Sequence, residues 1–178
     1  DFLATILEAM KSNIVLQMTF HSFTMQEAKT FLVEPYCVKM SAQRWYMLAR
    51  NVDYNYLRLY SLDRIEDVNL TDVHFILPKD FCAKEYFAEY FGIVLDEFAP
   101  LQRIVLRADK YHQHYMRTLP LHHSQKEIYA CDDYADFELT LRPTYDFYMK
   151  LMSFGNMIKV LEPKSLQEKI CKWLDKTL

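Results

Sequence analysis

At 178 residues and 51% hydrophobic content, the chain is long enough for one domain or two small ones and apolar enough to bury a core, which excludes a disordered polypeptide. A formal net charge of -3 excludes a protein coated for nonspecific duplex binding, because such binding depends on neutralising many phosphates together. With only two glycines, Gly92 and Gly155, no glycine-rich phosphate loop can be drawn, so any bound phosphate must be held by side chains.

Phe2, Leu3, Ile6, Leu7 and Met10 recur at helical spacing and predict a connecting helix within residues 1–13. Ile14, Leu16, Met18 and Phe20 then alternate with Val15, Gln17, Thr19 and His21, the period of a half-buried strand. Further strands are expected over 30–34, 36–40, 44–50, 57–61 and 65–70, with Pro35 separating the first two because it lacks a ladder donor. Short antiparallel strands joined by turns predict a small β-barrel domain over 14–73, closed so that its edges are protected. Residues 74–100 read as a helical linker, with a helix over 80–91 that stops at Gly92.

From 101 to 178 the rhythm becomes strand, helix, strand, strand, helix, strand, the order of a ferredoxin-like α/β domain, followed by a helix from Ser165 as its cap. The fold class is therefore α+β. Gly155 is expected to stop the second helix of this unit.

Arginine has no reason to enter a core, yet Arg44 and Arg58 arrive in neighbouring strands, each two residues before a tyrosine, Tyr46 and Tyr60. A guanidinium is a rigid fork of donors that matches phosphate and stacks on rings. Cross-strand pairing could gather Arg44, Arg58 and Arg64 over one patch, with Asp63 fixing the angle of Arg64. Lys39, Tyr36 and His21 are further candidates, and Arg142 is the candidate of the second unit, ahead of Arg107 and Arg117. Trp45, sharing a strand face with Met47 and Ala49, is expected to anchor the barrel core.

The four cysteines are far apart and form no CxxC pair, which reads as buried free thiols of a cytoplasmic protein. His112 with His114 and His122 with His123 lack a third convergent ligand at zinc spacing, so no metal is expected. Asp132, Asp133 and Asp136 read as solvated turn residues, and no nucleophile motif is present, so neither an enzyme nor a cofactor is expected. No apolar run approaches the roughly 20 residues that span a bilayer, so no membrane partner is expected. Asp1 in place of an initiator Met fits a piece of a longer chain.

Trp45-Tyr46-Met47, preceded by Arg44, lies between Glu34-Pro35-Tyr36-Cys37-Val38-Lys39 and Leu62-Asp63-Arg64-Ile65. In this order and spacing the chain resembles the WYL-domain family of bacterial regulators, with Met47 in place of the usual leucine and Phe20 where many relatives have tyrosine. The run from Phe154 to Pro163 looks like the C-terminal extension that follows such domains. The resemblance implies an Sm-like, SH3-type barrel and a ferredoxin-like extension, in the effector-sensing portion of a transcriptional regulator.

By the same resemblance Arg44, Tyr46, Arg58 and Arg64 would line a site for a nucleotide or single-stranded nucleic acid. Duplex DNA would be bound only by a winged helix-turn-helix unit missing from this chain, and the regulator would act as a homodimer. The competing readings are an interaction module whose aromatics form a subunit interface and, less favoured, a nucleotide hydrolase.

Overall fold

The computed structural model describes residues 2–96 and 98–175. It divides into two compact units, Asp1–Ala83 and Lys84–Leu178.

The first unit opens with helix α1 (Phe2–Ser12), which buries Ile6 and Ala9. It ends at Asn13, whose φ of 53° turns the chain into the sheet. Strands β1 (Ile14–Phe20), β2 (Lys29–Ser41), β3 (Arg44–Asn51), β4 (Tyr56–Ser61) and β5 (Ile65–His74) form one antiparallel sheet in the order β4-β3-β2-β1-β5. A single 3-10 turn, Leu62–Arg64, links β4 to β5. Among the described residues β4 and β5 do not pair, so the sheet is open and the expected closed barrel is corrected.

Pro35 does not divide β2. The ladder to β1 stops at Val33, so the donor that proline lacks is not needed on that side. On the β3 side Tyr36 is the additional residue between the pairs Pro35↔Ala49 and Cys37↔Leu48, a bulge inside one continuous strand. The β2–β3 hairpin turns through Ala42 and Gln43, both left-handed at φ 46° and 63°, the sense that matches strand twist in a two-residue loop.

One face of the sheet and α1 enclose Ile6, Leu16, Met18, Val33, Met47 and Tyr60. On the other face Val15, Tyr36 and Phe75 pack with Leu77 and Phe81, so the segment after β5 covers what would otherwise be a second apolar surface.

Among the described residues the expected linker is helical only over α2 (Ala83–Phe87), and Gly92 is not its stop. Instead Gly92 lies against Asp146, whose carboxylate accepts the N–H groups of Ile93 at 2.7 Å and Val94 at 2.9 Å. The remaining elements are β6 (Gln102–Asp109), α3 (His112–Thr118), β7 (Lys126–Ala130), β8 (Tyr134–Leu141), α4 (Tyr145–Ser153), β9 (Ile158–Glu162) and α5 (Lys164–Leu174).

The four strands form an antiparallel sheet in the order β7-β8-β6-β9. Its core gathers Ile104, Leu106, Phe137, Leu139, Phe147 and Leu166. Gly155, at φ 58°, follows α4 and reverses the chain towards β9. Pro163 rather than Ser165 occupies the cap position of α5, without a side-chain bond. The protein is thus a mixed α+β chain with two antiparallel sheets.

Candidate functional site

Arg44 begins β3 and places Nη1 3.4 Å from Oδ2 of Asp63, in the 3-10 turn. Asp63 also accepts the Ser61 hydroxyl. That hydrogen bond, opposed by desolvation and assisted by the charges of Arg44 and Arg64, holds the carboxyl below the usual carboxylate range. Asp63 therefore braces Arg44, rather than Arg64 as the sequence suggested.

Arg64 does something else. Its guanidinium carbon lies 5.2 Å from the ring centre of Phe20 and 4.8 Å from that of Phe23, while its Nε is buried without an acceptor. Arg58 stands 5.9 Å from the ring centre of Tyr60, and Tyr60 meets Phe20 edge to face at 5.2 Å. Two arginines thus flank one aromatic pair. Among the described residues neither has a carboxylate within ion-pair distance. Cations held over ring faces by quadrupole attraction keep their outward donors for another group.

The tyrosines play a different part from the one expected. Tyr60 is only 2% exposed and Tyr46 only 8%, so their rings support the site from within instead of facing solvent. Tyr36 belongs to the cluster on the opposite face, stacked on Phe75 and edge-on to Phe81 at 5.0 Å. It is not part of the arginine patch. Lys39 lies opposite Tyr46 in the β2–β3 register. His21 sits between Glu66, 3.2 Å from Nδ1, and the Met25 carbonyl, 3.3 Å from Nε2.

Trp45 is 42% exposed and does not anchor the core. Its partner on β2 is Met40, and the β3–β4 ladder ends at Tyr46↔Ser61, so the hairpin tip runs past β4 and leaves both side chains uncovered. Phe23 is the residue that sequence reasoning missed. It is 81% exposed on the β1–β2 loop, and an aromatic amid the polar run His21-Ser22-Phe23-Thr24 was the available signal.

The second unit adds no free arginine from the sequence's candidates. Arg142 donates to Glu89 Oε2 at 2.6 Å and to the Ala99 carbonyl at 2.5 Å, which fastens the segment before β6. Arg107 is forked onto Asp136 at 2.7 and 2.9 Å, and Arg117 is paired with Glu127 at 2.6 Å. Asp136 is accordingly a buried partner and not a solvated turn residue. Of the four free cysteines only Cys37 is partly buried, which corrects the expectation of four buried thiols. Among the described residues no three His, Cys, Asp or Glu side chains converge as a metal site would need.

The fold and this surface define a two-module α+β protein whose first sheet carries arginines on an aromatic bed. Residues 1–70 match the model of the WYL domain and residues 100–178 match that of the WCX domain. The chain is thus a WYL-domain-containing protein, with a WCX domain after the WYL domain.

Among solved structures it is similar to proteasome accessory factor B/C (PafBC) of Arthrobacter aurescens, at 17% identity and a TM-score of 0.40, covering 98% of this chain and 26% of that one. It is also similar in fold to a CRISPR Cas-related protein, at 10% identity and a TM-score of 0.54, covering 98% of this chain and 49% of that one. The chain therefore spans less than half the length of either. No curated protein matches it. Among the described residues no helix is long and apolar enough to cross a membrane.

Proposed function

We propose that this chain is the effector-sensing portion of a bacterial transcriptional regulator, a cytoplasmic, non-enzymatic homodimer. Its WYL module takes a nucleotide-like anion or a short single-stranded nucleic acid at the patch built by Arg58, Arg64, Phe20 and Phe23. The observation that carries the reading is the pair of arginines, without carboxylate partners among the described residues, beside the Phe20–Tyr60 contact. Phosphate matches the guanidinium donors, and a base has an exposed ring in Phe23 on which to stack.

Arg44 is a second contact, reached once the ligand competes with Asp63 for it. The presence of a WYL domain supports a regulatory role, and the β7-β8-β6-β9 order supports a ferredoxin-like reading of the second unit. Regulation requires that the ligand bind two arrangements of the protein with different affinity, the second being one in which a duplex-binding unit elsewhere in a longer protein is redisposed.

Fluorescence anisotropy with labelled single-stranded DNA, single-stranded RNA and cyclic nucleotides tests the reading. Saturable binding that collapses in a folded R58A/R64A variant is the expected result. Parental binding by that variant to every probe would sink it.

A further inference from the structure

The second unit contains a cavity of about 380 Å³, and none of its lining residues enters the reading above. Its floor is Met116 and Ile158, both members of the buried core. Its walls include His112, Tyr115 and Phe154, with the His112 ring 5.6 Å from Tyr115 and 6.4 Å from Phe154 in tilted and edge-on arrangements. The Asp109 carboxylate lies 3.3 Å from His112 Nδ1 and also accepts the His112 backbone N–H at 2.7 Å, so the imidazole is held in place as part of the wall.

One cation stands at this cavity. Lys150, exposed on α4, puts Nζ 4.7 Å from the Phe154 ring centre, and among the described residues it has no carboxylate within ion-pair distance. Small-molecule sites run from roughly 300 to 1,000 Å³, are mostly apolar and use few polar groups to orient the ligand. This cavity lies at the small end of that range. A nucleotide is the wrong occupant, because several phosphate charges would face one ammonium among apolar walls.

The geometry points to a binding site for a compact aromatic monocarboxylate. Its rings pack edge-on against His112, Tyr115 and Phe154, and its carboxylate meets Lys150. This site shares no residue with the arginine patch, and all its lining residues belong to the second unit.

Titration of the full chain with 2-naphthoate, followed by calorimetry, tests the proposal, with the uncharged 2-acetylnaphthalene as control. The expected result is saturable binding, weakened about tenfold or more for the control and for a Lys150→Met variant, since a hydrogen bond to a charged group is lost in each. Lys150 is exposed, so the variant is expected to keep its fold, with circular dichroism as the check. Absence of saturation at about 1 mM, or equal binding by Lys150→Met and the parent, overturns the site. The R58A/R64A variant is expected to bind naphthoate as the parent does, so the two sites succeed or fail independently.

Discussion

Arg44, Arg58 and Arg64 look interchangeable along the chain, yet their surroundings give each a different task. Arg44 spends its charge on Asp63, whereas Arg58 and Arg64 lie over rings. Phe23 is exposed, so its loss removes a stacking surface without opening a cavity. Phe23→Ala is expected to weaken binding of a single-stranded oligonucleotide by about 1–3 kcal/mol while the melting temperature stays unchanged, as anisotropy and calorimetry would read.

Asp63 has a depressed folded-state pKa, so the stability it contributes is present above the unfolded carboxylate pKa and is lost as the pH falls through its folded value. An acid titration of the fold should therefore flatten in Asp63→Asn relative to the parent. Burial pushes the Cys37 thiol up to about 11, with Lys39 pulling the other way, while Cys82, Cys131 and Cys171 are exposed. At mildly alkaline pH a thiol-specific disulfide reagent should find three fast cysteines and one slow one, because the thiolate is the nucleophile.

The element with the most to lose from a single change is the turn ahead of β6. Asp146, in the first turn of α4, binds two successive backbone N–H groups there, and a Cβ on Gly92 would overlap its carboxylate. Gly92→Ala is expected to cost about 1–3 kcal/mol by overpacking, and Asp146→Ala a similar amount by leaving two donors unpaired. Chemical denaturation of both variants would show it, and the double variant should lose less than the sum because both act on one contact.

Secondary-structure periodicity revealed α1, β1, β3 and the whole run from β6 to β9. It did not reveal that β2 continues through Pro35, because that depends on where the neighbouring β1 stops pairing. Nor did it reveal that α2 covers only Ala83–Phe87. The aromatics of that stretch look helical in spacing, but Tyr90 instead bridges to Arg142 on the second sheet's margin.

Each unit of the molecule has its own buried core and its own sheet. Residues 1–83 and 84–178 made separately are each expected to melt cooperatively, as a domain with a complete core does. A fragment that stays unfolded by near-ultraviolet circular dichroism would refute that. The Trp45 side chain, on the first unit, and Trp173, packed against Tyr148 in the second, provide an independent optical probe for each.

What the sequence determined by itself was the strand periodicity, short of the joining of β2 across Pro35, together with the helical stripes and the motif order that marks the WYL domain, because these are properties of neighbours along the chain. The tertiary structure decided which arginines were neutralised and which were not. It also left Trp45 uncovered, buried Tyr46 and Tyr60 and brought Phe23 against Arg64, since strand ends, register and loop placement are set by residues far apart in number. Ion pairing and burial depend on those distances, and no local pattern encodes them.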